Sequence, residues 1–153
     1  MIKSPKVYLA DSGLACHLLG IETQAELEKS PFLGVLFEGF IASEILKAQV
    51  NSGRRGELYY FRDQQGLEVD FVLPVGGGTI RLVEVKATHT PTLALAAPMQ
   101  RVAQAMLKSR CGQVSVQPVL VHRRALGFRS PALVTGTRAM AWPDFVKAPL
   151  AVE

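Results

Sequence analysis

Gly76-Gly77-Gly78 lies between two runs of alternating apolar residues, Leu67–Leu73 and Thr79–Ala87, and so ties them into one hairpin. Glycine reaches the positive φ angles of a tight hairpin turn without steric cost, and the short loop leaves little freedom in pairing. Strand side chains alternate sides, which predicts Glu68 with Asp70, and Glu84 with Lys86, on one face. Val69, Phe71, Val83 and Val85 then fall on the other. A turn centred on Gly77 sets Asp70 opposite Glu84 and Glu68 opposite Lys86. Like charges facing each other on a sheet are destabilising, so this register calls for a cation between the two acids. A plain half-buried hairpin shows the same alternation, with Glu68 and Lys86 as an ordinary ion pair contributing about 0.2–1 kcal/mol. The rest of the chain has to decide between the two readings.

At 153 residues, 48% hydrophobic and 20% charged, the chain suits a single domain with a full core. No apolar stretch approaches the roughly 20 residues of a membrane span, and Met1–Lys6 lacks the apolar run of a secretion signal, so a cytoplasmic location is expected. Cys16 and Cys111 are far apart, with neither Cys-x-x-Cys nor companion His spacing, which argues against zinc and against a disulfide framework. Charge is uneven. Residues 1–98 carry nine Lys or Arg against eleven Asp or Glu, whereas residues 99–153 carry eight against two. Arg101, Lys108, Arg110, Arg123, Arg124 and Arg129, with Arg54-Arg55 in the front half, are candidates for a phosphate-attracting surface. Simple solvation accounts for the same pattern.

The local signals order the elements. Lys6–Ala10 reads as a short strand, Asp11 as the cap of a helix ending near Gly20, and Thr23-Gln24-Ala25-Glu26 as a capping box. Ser30-Pro31 supplies an N-cap and first-turn proline for a long helix to about Gln49, with an apolar stripe of Leu33, Leu36, Phe37, Phe40, Ile41, Ala42, Ile45 and Leu46. Strands follow at Leu58–Arg62, Leu67–Leu73 and Thr79–Ala87, then a helix at Pro98–Arg110. A fourth strand at Val114–His122 contains Pro118, which marks an edge or a bulge. Ala132–Val134 and Ala139–Trp142 read as short strands and Pro143–Val146 as a terminal helical turn. Residues 1–30, 31–122 and 123–153 thus form a lead-in, a core and a C-terminal extension of one domain.

Glu38 lies on the long helix with Ile41, Ala42 and Ile45 three, four and seven residues further on, so its face is largely apolar. A favourable helix-dipole position accounts for it in part, but a buried anion needs a partner, and the hairpin acids point to a shared site.

This order of helix, three strands, helix and strand, with an acid on the first helix, an acid on the second strand and Glu84-Val85-Lys86 on the third, resembles the PD-(D/E)xK nuclease superfamily. More closely, Lys3–Ala15, Gly34–Glu38, Tyr60–Arg62, Glu68–Phe71 and Glu84–Lys86 resemble the domain of unknown function numbered 4143, usually the C-terminal part of bacterial and archaeal AAA-type ATPases. The resemblance implies an α/β, restriction-endonuclease-like core with a central mixed sheet flanked by helices. It also implies Mg2+ or Mn2+ held by Glu38, Asp70, Glu84 and the backbone carbonyl of Val85, with Lys86 orienting or deprotonating the attacking water. Hard oxygen donors suit these ions. Asp70, Glu84 and Lys86 would carry the catalysis. Gln100 and Arg101 on the following helix are candidates to contact the site or a phosphate, Arg62 and Glu68 to frame it or to stand as ends of surface ion pairs, and Arg62, with Arg123 and Arg124 from the basic C-terminal third, to meet nucleic acid. His89 is a weaker candidate near the metal. No Gly-x-x-x-x-Gly-Lys-Ser/Thr run occurs, so the ATPase module that such a domain accompanies is not expected in this chain.

Two functions remain open at this point. One is a metal-dependent nuclease-like domain acting on phosphodiester bonds of DNA or RNA. The other is a non-cleaving module of the same fold that binds nucleic acid or a protein partner. Four intact site residues favour the first, and fold alone does not choose.

Overall fold

The computed structural model describes residues 5–109, 114–124 and 136–148, and the backbone of 132–133. Element order is α1 (Ser12–Leu18), α2 (Gln24–Lys29), α3 (Leu33–Asn51), β1 (Tyr59–Arg62), β2 (Glu68–Gly76), β3 (Thr79–Lys86), α4 (Leu93–Lys108), β4 (Ser115–His122), β5 (Ala132–Leu133), β6 (Thr137–Ala141) and α5 (Trp142–Lys147). The strands form one mixed sheet in the order β1-β2-β3-β4-β6-β5. β1, β2 and β3 run antiparallel, β3 pairs with β4 and β4 with β6 in parallel, and β5 pairs antiparallel with β6.

Two cores follow from this layering. On one face Ile41, Ala42 and Ile45 of α3 and Phe145 of α5 pack on Phe71, Leu73, Val75, Val83, Val85, Val119 and Val121. Phe40 meets Trp142 edge-on at 5.0 Å between ring centroids and joins the two helices. On the other face Ala96, Met99, Val102 and Ala103 of α4 pack on Val69 and Leu82. A strand covered on both faces reads as a continuous apolar run, which is the character of Phe71–Leu73 and Val119–Val121.

The short-range signals are realised as caps. Asp11 accepts a hydrogen bond from the Leu14 N–H at 3.0 Å and starts α1, and Thr23 and Glu26 form both bonds of a capping box on α2. Several boundaries move. Lys6–Ala10 is not a strand but an irregular strap, tied by its side chains and by the Ala10 carbonyl to Ser43 rather than by a ladder. α3 begins at Leu33, because Ser30 closes a turn through the Phe32 and Leu33 N–H groups instead of capping the helix. α4 begins at Leu93, five residues before the expected start, with Pro98 inside it. Leu93, Ala94, Leu95, Ala96 and Ala97 all favour helix, and this run outweighs the one bond that the proline nitrogen cannot donate. β4 is an interior strand in unbroken register with β3, contrary to the edge or bulge expected from Pro118; pairing with β6 begins only at Val119, so Pro118 sits just before the second ladder. Val134, Arg110, Cys111 and Arg129 lie outside the described residues.

The hairpin register is the expected one where β2 and β3 pair: Phe71 faces Val83, Val72 faces Leu82 and Leu73 faces Arg81. Gly77 and Gly78 turn the chain with φ of 57° and 71°, values that side-chain-bearing residues rarely adopt.

Candidate acidic site at the bulged strand

The register of β2 shifts near the glycine turn, between Pro74 and Gly76, and again where it pairs with β1, and the second place aims Asp70. Tyr59 pairs with Val72 and Phe61 with Val69, so Asp70 and Phe71 together oppose the single residue Tyr60. This is a β-bulge, which adds a residue and breaks the period of two. Val69 consequently packs against α4 while Phe71 packs against α3, so these two do not share a face as simple alternation requires. Asp70 and Phe71 both turn toward the α3 side: Phe71 lies against the Tyr8 ring, 6.1 Å between centroids, and Asp70 approaches Glu38 and Lys6. The other carboxylate oxygen of Asp70 accepts the Val85 N–H at 2.9 Å, which pins the side chain to the neighbouring strand.

Two cations, not one between them, meet the facing acids: Lys86 holds Glu84, and Lys6 holds Asp70 together with Glu38 and Glu68. Lys6 Nζ lies 2.9 Å from Glu38 Oε1, 2.5 Å from Glu68 Oε1 and 3.4 Å from Asp70 Oδ1, and stands 5.4 Å from the centre of the Tyr60 ring. Burial opposes its charge, but the hydrogen bonds to Glu68 and Glu38 and the field of Glu38 and Asp70 outweigh burial, and the ammonium is held well above its usual range. Tyr8, two residues on, donates its hydroxyl to the same Glu38 oxygen. Burial and that carboxylate together push its ionisation up. Neither residue had been assigned to the site from the sequence. The signal that could have found them is the unbalanced charge, together with the alternation of Lys6 and Tyr8 on an extended segment.

Glu84 and Lys86 form the other half. Glu84 is 5% exposed and gives Oε1 to Lys86 Nζ at 2.6 Å, while its Oε2 is buried with no hydrogen-bond partner. Burial, then the charge of Asp70, raises the Glu84 carboxyl from 4.5 to about 7. Asp70 is likewise raised, by burial first and the Glu38 charge second, against the pull of the Val85 N–H and the two lysines. Burial opposes the Lys86 charge, but the Glu84 hydrogen bond together with the charges of Glu84, Asp70 and Glu38 outweighs it, and Lys86 stays charged. Three carboxylates from α3, β2 and β3 thus sense one another, with an ammonium at each side.

Carboxylate oxygens from three elements suit a hard divalent cation of the kind the resemblance implies, and Glu84 Oε2 has no hydrogen-bond partner among the described residues. The present arrangement is not a finished chelate: among the described residues no group of three or more His, Cys, Asp or Glu is gathered to hold a metal ion. Lys6 and Lys86 divide the carboxylates between them. Val85 is buried in β3 and contributes its N–H to Asp70.

The predicted contacts beyond the cluster separate into two groups. Arg62 stays at the rim, its Nε 3.6 Å from Glu68 Oε2, and Arg101 is exposed on α4. Gln100 donates to Thr137 Oγ1 at 3.1 Å and so ties α4 to β6. Arg123 pairs with Glu28 at 2.8 Å and Arg124 with Asp144 at 2.7 Å, so these guanidinium groups already hold carboxylates. His89 bonds to the Arg124 carbonyl oxygen at 3.0 Å.

A family model described as a domain of unknown function, DUF4143, matches residues 33–124. The chain belongs to the DUF4143 family. The match contains Glu38, Asp70, Glu84 and Lys86 and begins after Lys6 and Tyr8. Uncharacterized proteins of Mycobacterium tuberculosis and Mycobacterium bovis are each 36% identical to this DUF4143 domain over 91 residues, 60% of this chain. The aligned part is 20% of each relative's length. No solved structure matches the chain. Among the described residues no helix is long and apolar enough to cross a membrane.

Proposed function

We propose that Glu38, Asp70, Glu84 and Lys86 form the centre of a metal-dependent nuclease-like domain of the PD-(D/E)xK type, acting on phosphodiester bonds of DNA or RNA. The observation that carries the reading is the pair of buried carboxylates, Asp70 and Glu84, both raised by burial first, with the Glu38 charge adding to Asp70 and the Asp70 charge adding to Glu84. Apolar residues at the same positions would fit a sheet interior at less cost, so a buried acidic pair needs a use, and perturbed carboxylates cluster at catalytic sites. The bulge that re-aims Asp70 is of the kind found beside active sites.

Mg2+ or Mn2+, held by Asp70 and Glu84 with Glu38, would neutralise phosphate oxygens and acidify a water when bound. The residues themselves do the rest. Lys86, with a side chain 36% exposed, reaches from Glu84 toward solvent, where it orients the attacking water and balances charge growing on the phosphate. Arg62 and Arg101 supply exposed positive charge for the nucleic-acid backbone. Since the aligned segment is a fifth of each relative, we also propose that the domain works beside an AAA-type ATPase module in a longer polypeptide.

A second reading has its own support: each lysine already satisfies nearby carboxylates, as in a structural ion network of a non-cleaving module. Calorimetric titration of Mn2+ into the native chain, Asp70→Ala and Glu84→Ala separates the two. Binding by the native chain alone, with cleavage of single-stranded, duplex or branched substrate that Lys86→Ala loses while still binding Mn2+, is the expected result. Equal silence from all three proteins would overturn the nuclease reading.

A further inference from the structure

We infer that the strap Lys6–Ala10 is a built-in competitor of the divalent cation: the Lys6 ammonium holds the carboxylates, and loading the site expels the strap. The inference rests on the metal site proposed above and adds a residue upstream of the family match. Lys6 occupies the common ground of Glu38 and Asp70, two of the three proposed donors, at 2.9 and 3.4 Å. One ammonium and one divalent ion cannot share those oxygens at coordination distance, because like charges repel and the donors' lone pairs are finite.

The strap is held in a manner suited to release. Among the described residues it has no ladder partner; it is attached through alternate side chains, Lys6 and Tyr8, and at its far end through the Ala10 carbonyl, which accepts the Ser43 hydroxyl at 2.9 Å, while Val7 and Leu9 point outward at 88% and 54% exposure. Tyr8 lies over Gly39, where an added Cβ would stand 3.4 Å from the ring, and donates to Glu38. A cavity of about 250 Å3 lined by Val7, Tyr8, Leu9, Ala15, Val35 and Gly39 runs beneath the segment. Both side-chain anchors therefore reach Glu38, so an ion that recruits Glu38 loosens the strap at two points and leaves the Ser43 contact to Ala10 as its hinge. By linkage, anything that holds the strap down weakens the ion, and the ion loosens the strap by the same factor.

The test is Mn2+ affinity by calorimetry on the native chain, Lys6→Met and Glu68→Gln, with amide hydrogen exchange of residues 5–10 with and without Mn2+. Lys6→Met is expected to bind Mn2+ at least tenfold more tightly. Glu68→Gln, which keeps every proposed donor and covers the case in which Lys6→Met fails to fold, is expected to gain several-fold, although removing a negative charge would by itself weaken a cation. Exchange in residues 5–10 should quicken on adding Mn2+ to the native chain, with the hairpin unchanged. Equal or weaker binding by both variants, with unaltered exchange, overturns the competition and leaves the metal site standing. Absence of Mn2+ binding from every protein overturns the competition together with the site.

Discussion

Replacing Glu84 by Gln should make the domain more stable at pH 8 and nearly unaltered at pH 5. In the native chain the buried carboxyl is raised from 4.5 to about 7, so between those values the folded state holds a proton that the unfolded chain has released. Stability therefore falls as pH rises through that window, the reverse of a salt-bridged carboxylate whose ionisation is depressed. At about 1.4 kcal/mol per unit, the span corresponds to an upper bound of about 3 kcal/mol, and sharing of the proton with Asp70 brings the expected difference to about 1–3 kcal/mol. Lys86 does not cancel this slope: its own raised ionisation contributes stability that is fully present below its ordinary 10.5. The substituted amide would keep the volume of the carboxyl and leave Lys86, a third exposed, free to turn to water. The assay is urea unfolding of both proteins at pH 5, 6, 7 and 8 in the absence of metal. A native-minus-variant difference that is flat with pH, or that grows in favour of the native chain toward pH 8, would refute the reasoning.

Gln49→Ala should cost about 1–3 kcal/mol in the same assay, because the buried amide both accepts from the Glu57 N–H at 2.9 Å and donates to its carbonyl at 3.0 Å, clamping the chain after α3. At Gly77, where a Cβ would meet nothing within 4 Å but φ is +57°, the cost of a side chain is purely conformational. Gly77→Val should lose about 1–2 kcal/mol and Gly77→Asn clearly less, since Asn tolerates the left-handed region; unfolding midpoints in the opposite order would contradict the turn geometry.

Features carried by neighbouring residues were legible in the sequence, and features carried by charge balance across the fold were not. The caps at Asp11 and Thr23 need three or four residues of context, and the pairing of Phe71 with Val83 follows from the glycine turn and parity alone. The bulge at Asp70 and Phe71 has no local mark: neither glycine nor proline stands there, and only pairing with β1 creates it. Face assignments beyond it were therefore misread, although Glu68 and Asp70 still share Lys6. Lys6 itself lies 32 and 64 residues from its partners Glu38 and Asp70, further than any periodicity reaches. The sequence did carry the requirement for a cation, without its source. Arg123 and Arg124 were placed by net charge, which does not reveal that Glu28 and Asp144 already neutralise them.

Charge balance joins the two halves of the site and yields a last prediction. Glu38, Glu68, Asp70 and Glu84 face Lys6, Lys86 and, at the rim, Arg62, so four potential negative charges meet three positive ones within a partly buried space. The cluster relieves the excess by keeping a proton on Glu84 up to about pH 7. A divalent ion accepted by Asp70 and Glu84 would remove the need for that proton, so binding below neutrality must release it. Titrations of Mn2+ at pH 6 in buffers of differing ionisation enthalpy should report release approaching one proton per ion, falling toward none at pH 9, with affinity weakening as pH drops. Glu84→Gln should abolish most of the release along with the affinity. Binding at pH 6 without proton release would mean that the ion is held elsewhere, and that Lys6 and the Glu84 proton are the cluster's permanent answer to its own charge.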